Sequence, residues 1–224
     1  MTKPVVIAVD GTAASGKGTL AKRLARHFGF AHLDSGSLYR LTALGVIRAS
    51  GDPGNETDAV AAAGRIDPSQ SDSPDIRQAR VAEAASVVAA IPAVRARLIE
   101  FQRGFAANPP GGAKGVVIDG RDIGTVVCPE ATAKLYVDAK PEARAHRRWM
   151  ELTSLGQTPD EATVLADIHT RDARDSGRAV APLKAAIDAD LLDTTNLDID
   201  AAFVAALALV RHKVEEALEA RPRG

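Results

Sequence analysis

A strand, a loop and a helix near the N-terminus strongly limit how this chain can fold. The segment VVIAVDGTAASGKGT is an apolar β-branched run followed by a glycine-flanked loop and the start of a helix. It reads Gly11-x-x-x-x-Gly16-Lys17, with Gly18 where Ser or Thr is usual and Thr19 one place later. Such a loop turns backbone N–H groups inward, and the helix N-terminus and the lysine add positive charge. A glycine-rich turn without a ligand is the alternative. We predict a loop that binds the phosphates of a nucleoside triphosphate.

The composition fits one globular domain. The chain has 224 residues, of which 46% are hydrophobic and 25% charged, as is usual for folded proteins. A net charge of −1 gives no reason to expect nucleic acid or an acidic membrane as a partner. One cysteine excludes an internal disulfide and a cysteine-based zinc site. Neither a signal peptide nor a long apolar run is present, so we expect a cytoplasmic protein that binds no membrane.

Short apolar runs alternate with longer helical segments, which is typical of a parallel sheet covered by helices. The predicted strands are Val5–Asp10, Ala31–Asp34, Val116–Asp119, Lys134–Val137 and Asp190–Asp193. Helices are predicted at about 17–28, 36–49, 56–63, 74–90, 92–105, 141–155, 158–177 and 199–218. Residues 51–77 are rich in Pro, Asp, Ser and Gly and contain no strand pattern. The sequence therefore predicts an α/β fold.

The segment LDSGSLYR, residues 33–40, follows the second predicted strand. Ligands of open α/β sheets bind beyond the carboxyl ends of the strands. We therefore expect Ser35, Tyr39 and Arg40 on the same rim as the phosphate loop. Taken alone, the segment is a helix cap followed by a surface arginine.

The segment VIDGRDIG, residues 117–124, is another strand end followed by a tight turn. Asp119 closes the apolar run, where a nucleotide-hydrolysing enzyme often places an acid near magnesium. Its alternative role is to cap the turn, and the sequence leaves both open. Arg121 and Asp122 lie in the turn, either as site residues or as a structural ion pair.

A third segment, TRDARDSGRAVAP at 170–182, is rich in arginine. Arg171, Arg174 and Arg178 share one helix face if the helix continues that far, and Asp175 is spaced to pair with Arg171. A solvated helix with salt bridges is the alternative. Three arginines without a matching acidic row predict a strong positive field, which suits a lid closing over phosphates.

These groups suit phosphoryl transfer, where catalysis is mostly positioning and neutralisation of charge. A phosphate acceptor is already ionised at neutral pH and needs no general base, whereas a sugar alcohol would need a positioned carboxylate. The five histidines show no HExxH or similar spacing, so we expect surface or packing roles for them.

Five motifs in order resemble bacterial cytidylate kinases, members of the nucleoside monophosphate kinases. They are GTAASGKGT, LDSGSLYR, AASVVAAIPAVR, DGRDIGTVV and RDARDSGRAVAPL, and the resemblance runs from Ile7 to the segment LLDTT. It implies a three-layer α/β/α P-loop kinase fold with a five-stranded parallel sheet. It also implies transfer of the ATP γ-phosphoryl group to CMP or dCMP, with Mg²⁺, in pyrimidine nucleotide metabolism. We expect a monomer.

The resemblance assigns roles to particular residues. ATP phosphates would be held by Gly11, Thr12, Ala13, Ala14, Ser15, Gly16, Lys17, Gly18 and Thr19, with Lys17 bridging the β- and γ-phosphates. The acceptor phosphate would be gripped by Arg40, Arg121 and Arg178, and the cytosine contacted or oriented by Ser35, Ser86, Arg95 and Asp122. Arg171 and Asp175 would contact the ribose, and Arg174 would lie in the lid near the transferred group. Tyr39 joins the substrate-binding set, Lys17, Arg121, Arg174 and Arg178 form the catalytic set, and the Mg²⁺ ligands are unknown.

The chain departs from the family pattern at two places. Residues 64–77 are too short and polar for the small β-sheet insert of longer members, which puts strict cytosine selectivity in doubt. The position before Arg178, which in the family is often Asn or another polar residue, is Gly177 here. We therefore expect this corner of the lid to be more mobile. We expect a core at about 1–50, 113–150 and 183–224, a helical monophosphate-binding region at about 51–112 and a mobile lid at about 151–182.

Two other functions stay open. A related kinase could use UMP or a small hydroxy acid as its acceptor. A nucleotide-dependent switch is a different class, against which the chain carries no NKxD base-reading motif.

Overall fold

A computed structural model of the chain describes residues 3–178 and 180–221. The strands are β1 (Val5–Gly11), β2 (Ala31–Asp34), β3 (Gly115–Gly120), β4 (Ala133–Asp138) and β5 (Asp190–Asp193). The helices are α1 (Lys17–Phe28), α2 (Ser35–Arg48), α3 (Glu56–Ala63), α4 (Ala79–Val88), α5 (Pro92–Ala107), α6 (Pro141–Ser154), α7 (Glu161–Ser176) and α8 (Ile199–Glu219). Met1, Thr2, Ala179 and residues 222–224, which fall in the predicted core and lid, lie outside the described residues.

The five strands form one sheet in the order β2-β3-β1-β4-β5. β1 lies at its centre and pairs in parallel with β3 and β4, and β4 pairs in parallel with β5. This confirms the predicted α/β fold with a five-stranded parallel sheet and flanking helices. β1 and β3 are buried along their whole length, as expected for strands covered on both faces.

The contacts divide the chain into two compact units. The first unit is Met1–His32 with Asn108–Gly224, and the second unit is Leu33–Ala107. In the first unit, α1 and α8 pack on the apolar side chains of β1, β3 and β4 around Leu20, Leu24 and Val210. A smaller cluster joins α6 and α7 to Ala13 of the loop after β1. The phosphate loop is therefore packed against α6 and α7.

The second unit is helical after the end of β2. Its residues 64–77 contain two 3-10 turns, Pro68–Gln70 and Pro74–Arg77, and no strand. Ile76 is buried, and Arg48 at the end of α2 pairs with Asp75 at 2.6 Å. This short segment is therefore tied to α2. The helix predicted from residue 74 begins only at Ala79, because Gln78 is extended.

None of the helices in the described ranges 3–178 and 180–221 combines the length and hydropathy needed to span a membrane.

Candidate active site

The phosphate loop has a backbone that only small residues permit. Gly11 has a φ of 149°, and a Cβ atom there would lie 1.9 Å from the carbonyl oxygen of Val137. Gly16 and Ala14 also have positive φ values, of 89° and 58°. Residues with side chains rarely adopt this region. The backbone conformation of the loop therefore explains why glycines occur at this spacing in the sequence.

Side chains from other elements brace this loop. Thr12 Oγ1 donates to Asp138 Oδ1 at 2.6 Å, at the end of β4. Ser15 Oγ donates to the Thr12 carbonyl at 3.0 Å, and Thr194 Oγ1 donates to the Ser15 carbonyl at 2.9 Å. The loop is thus held in one shape before any ligand arrives, which lowers the entropy lost on binding.

The loop leads into the N-terminus of α1. The first turn of α1 carries no acidic residue, and its N-cap residue is Gly16, which has no side chain to bind the N–H groups of that turn. Helix N-termini expose N–H groups and a positive dipole end, which favour anions. Lys17 Nζ reaches back across the loop and donates to the Thr12 carbonyl at 3.3 Å. This arrangement fits the predicted role in binding phosphates.

A cavity of about 870 Å³ opens beside the loop within the first unit. Its lining joins residues 14–20 of the loop and α1 to Arg147, Arg148 and Glu151 of α6 and to residues before and in α8. The volume falls within the usual range for small-molecule sites. The first unit therefore has room for a nucleotide next to the predicted phosphate site.

Arginines of two segments converge on one buried carboxylate. Asp175 accepts from Arg121 Nε at 2.9 Å and from Arg178 Nη2, and Arg171 Nε lies 4.0 Å away. Burial opposes ionisation of Asp175, but Arg121, Arg178 and Arg171 outweigh it and hold its pKa below the ordinary value. The structure thus brings together four predicted site residues from segments more than fifty positions apart.

The structure bears on three expectations about this cluster. α7 ends at Ser176, so Arg178 follows the helix and does not share its face with Arg171 and Arg174. The predicted unopposed positive field is also partly neutralised, because Asp175 is the counter-ion. The ion pair of Arg121 is made with Asp175, not with its neighbour in the turn.

Asp119 is buried at the end of β3 and contacts the ring of His32, with 2.8 Å between Oδ1 and Nε2. Its other oxygen lies 3.6 Å from the position that a Cβ of Gly18 would take. The carboxylate is therefore beside the phosphate loop, as the magnesium interpretation requires. Only a surface or packing role was predicted for His32, because its partner is 87 positions away.

Two charged residues at the site were missed by sequence reasoning. Asp10, just before the loop, accepts from the backbone N–H groups of Ile123 and Gly124 at 2.8 and 2.7 Å. Arg144 donates to the Ala13 carbonyl at 3.3 Å. Both are buried; Asp10 stands out in the sequence as a charge at the end of an apolar run, whereas nothing distinguishes Arg144 from the other charged residues of its helix.

Two further predicted residues lie in the first unit, where Asp122 is buried and Arg174 of α7 is exposed, and the second unit holds the others. Arg95 is buried on α5, where Nη1 donates to the Tyr39 hydroxyl at 3.4 Å and to the Ala89 carbonyl at 3.5 Å. Ser86 lies on α4, with its Oγ buried and without a hydrogen-bond partner among the described residues. Ser35 is buried and Arg40 half-buried on α2. Tyr39, Arg95 and the end of α4 are thus brought together in this unit.

Among the residues that the structure describes, no three His, Cys, Asp or Glu side chains cluster as they would around a metal ion. Mg²⁺ bound with a nucleotide uses phosphate oxygens and water for most of its ligands and one or two carboxylates. Asp119 beside the loop would supply such a carboxylate, so the residues present fit Mg²⁺ that arrives with a nucleotide.

Comparison with known proteins decides the family. The family model described as cytidylate kinase matches residues 7–212. The chain belongs to the cytidylate kinase family. A cytidylate kinase of Afipia carboxidovorans is 53% identical over 206 residues, which are 92% of this chain and 97% of the relative. One of Rhodopseudomonas palustris strain TIE-1 is 54% identical over 206 residues, which are 92% of this chain and 95% of the relative. The family predicted from the motifs is confirmed.

A solved structure shows the same fold. An uncharacterized protein from Eubacterium ventriosum superposes with a TM-score of 0.53 over 92% of this chain and 98% of its own, at 14% identity. At this identity the likeness concerns the fold alone. The roles of the individual site residues stay predictions.

Proposed function

We propose that the protein transfers the γ-phosphoryl group of ATP to CMP or dCMP and so forms ADP and CDP or dCDP. One observation carries this proposal beyond the family name. The phosphate loop with Lys17 and the cluster of Arg121, Asp175 and Arg178 belong to one compact unit. Asp10, next to the loop, binds the turn that carries Arg121. The cations proposed for the donor phosphate and for the acceptor phosphate therefore lie in the same compact unit.

The donor site is the phosphate loop and the cavity beside it. The N–H groups of residues 11–19 and the Lys17 ammonium would hold the β- and γ-phosphates, and the cavity would take the nucleoside. Mg²⁺ carried by ATP would neutralise part of the phosphate charge, with Asp119 beside the loop. Fixed charges of this kind stabilise the transition state without reorganisation during the reaction.

The acceptor needs no general base. A nucleoside monophosphate is ionised at neutral pH, so its phosphate oxygen attacks directly once it is in line with the γ-phosphorus. Arg121 and Arg178 would orient it through charge-assisted hydrogen bonds. Before the substrate arrives, the Asp175 carboxylate holds both guanidinium groups, so two long side chains are ordered in advance. Binding then loses less side-chain entropy.

The second unit supplies candidates for the nucleoside. Arg95 is fixed against Tyr39, and the Ser86 hydroxyl is buried without a partner among the described residues. A buried hydroxyl without a partner costs free energy that a ligand can recover. This supports Ser86 and Arg95 as contacts of the base.

A coupled assay of ADP release tests the function. Turnover should be stimulated by CMP and dCMP, weakly by UMP, and not by AMP, GMP, gluconate or shikimate. Equal rates with UMP and CMP would show a broader pyrimidine kinase, in line with the missing insert. ATP hydrolysis unaffected by every acceptor would overturn the proposal in favour of a nucleotide switch.

The chain should be cytoplasmic and monomeric in this role. Gel filtration with light scattering, with and without CMP, checks the monomer.

A further inference from the structure

Asp10 binds the backbone of a distant turn with both oxygens of its carboxylate. It is the last residue but one of β1 and is 4% exposed. Oδ1 accepts from the N–H of Ile123 at 2.8 Å, and Oδ2 accepts from the N–H of Gly124 at 2.7 Å. Each carboxylate oxygen therefore holds a different backbone donor.

Both ends of one turn are attached to this residue. The backbone of Asp10 is in register with Gly120, the last residue of β3. Its side chain then binds the first two residues of the π-helical turn Ile123–Val127. Arg121 and Asp122 are the two residues between these attachments. Their backbone positions are consequently set by the pairing of β1 with β3 on one side and by the Asp10 carboxylate on the other.

The neighbouring lysine does not compete with the turn for the Asp10 carboxylate. The side chain of Lys134 on β4 lies beside Gly124 and Asp10, but its ammonium is bound to Asp188 at 2.9 and 2.8 Å. Arg121 and Asp122 on the turn act on Asp10 electrostatically with opposite signs, and Asp10 in turn acts on Tyr136 of β4. Burial raises the pKa of Asp10 to about 6 against the two N–H bonds, so the carboxylate is ionised at neutral pH. A neutral residue would avoid this desolvation.

We propose that Asp10 is a positioning residue for phosphoryl transfer, which locks the turn of Arg121 and Asp122 to the end of β1, directly before the phosphate loop. The inference rests on the proposed function, in which that turn meets the acceptor. Donor and acceptor groups must be placed to within a fraction of an ångström, and a shift of about 1 Å can lower the rate by about a hundredfold. A carboxylate that holds the turn and directly precedes the phosphate loop in the chain supplies that precision.

The test is Asp10→Asn, which keeps the shape but replaces one acceptor by an NH₂ group facing an N–H donor. We expect kcat/KM for CMP to fall by at least about tenfold, given the same sensitivity to placement, with KM for ATP within about twofold of wild type. Asp67→Asn is the matched control, because Asp67 also accepts a backbone N–H, from Ser69, but is exposed. It should leave the kinetics unchanged.

A double-mutant cycle separates positioning from a structural role. If Asp10 acts through Arg121, Asp10→Asn should have much less effect in an Arg121→Lys background than in wild type. An equal loss in both backgrounds, or an equal rise in KM for ATP and CMP, would overturn the inference. Wild-type turnover that CMP does not stimulate would instead overturn the proposed function.

Wild-type protein gives an answer even if Asp10→Asn does not fold. Slow amide hydrogen exchange of Ile123 and Gly124 is expected, because their N–H groups are held by a buried carboxylate. Exchange at the rate of an open loop would contradict the proposal.

Discussion

Arg144 and Asp172 face each other through two parallel contacts, with Nη2 2.6 Å from Oδ2 and Nη1 3.1 Å from Oδ1. The same guanidinium donates to the carbonyls of Ala139 and Ala13. One buried side chain therefore connects α7 with the phosphate loop and the start of α6. Because α7 carries Arg171 and Asp175, this connection sets the distance between two parts of the candidate site.

Arg144→Lys should lower both stability and turnover. A lysine keeps the charge but cannot make the planar bidentate pair and the carbonyl contacts together. We expect the free energy of unfolding in urea to fall by about 1–3 kcal/mol, the range for a lost buried hydrogen bond. Arg211→Lys, in an exposed pair with Glu215, should change it very little. Equal unfolding free energies for Arg144→Lys and wild type would show that the bidentate geometry is unimportant.

The sequence predicted the parts of the structure that local chemistry determines. α1 ends before Gly29, whose φ is 65°, and α3 begins after Asn55, whose side chain accepts from the Asp58 N–H. Capping residues of this kind act within a few positions. β5 and the phosphate loop were predicted from the sequence in the same way, because apolar runs and glycine spacing are also local features.

Contacts between distant residues could not be predicted in the same way. Asp10 binds residues 113 and 114 positions away, and Arg144 binds a carbonyl 131 positions away. No spacing rule connects such residues; only the parallel register of β1 and β3 brings Asp10 to its turn. The partners of Asp175 were missed for a related reason: it was predicted to pair with Arg171, but it binds Arg178 beyond the end of α7 and Arg121, 54 positions away.

Lys17→Ala should remove catalysis and leave the fold intact. Its ammonium lies at the rim of the loop and is half-buried, so the loss is of charge stabilisation and not of core packing. A fall in kcat of about 10²–10³ is expected, as for other fixed groups that stabilise transition-state charge. Lys22→Ala, an exposed change on the same helix, is the control for α1. Normal turnover of the Lys17 variant would disprove the assignment of the phosphate loop.

Arg178→Ala should weaken the binding of CMP more than that of ATP. Removal of the guanidinium deprives the acceptor phosphate of a partner and leaves Asp175 with fewer cations. Isothermal titration calorimetry should show a CMP Kd higher by about tenfold or more, the effect of losing one charge-assisted hydrogen bond. The ATP Kd should stay nearly unchanged. Loss of ATP affinity alone would place this arginine at the donor site.

Gly11→Ala should prevent folding, whereas Gly29→Ala should be tolerated. Both glycines have positive φ, but only the first meets an obstacle, the Val137 carbonyl oxygen at 1.9 Å from its Cβ position. Gly29 has open space around it and should lose only about 1–2 kcal/mol for the left-handed backbone. Circular dichroism and urea unfolding compare the two. A folded Gly11 variant with a stability like that of the Gly29 variant would contradict the loop geometry.

The raised pKa of Asp10 predicts a specific dependence of stability on pH. Burial raises the pKa of this carboxyl to about 6 in the folded protein, against the ordinary 3.8 that the unfolded chain should show. Between these values the folded state binds a proton that the unfolded state has lost. Stability from this group therefore decreases as pH rises through the window and stays lower above it.

Asp10→Asn lacks this titration, so the two proteins should respond differently to pH. Between about pH 4 and 7 the unfolding free energy of wild type relative to Asp10→Asn should fall by up to about 3 kcal/mol, because each tenfold difference in proton affinity between the two states is worth about 1.4 kcal/mol. Urea unfolding of both proteins at several pH values measures the difference. If the two curves ran parallel, the carboxyl would titrate alike in the folded and unfolded states, and burial would not be raising its pKa.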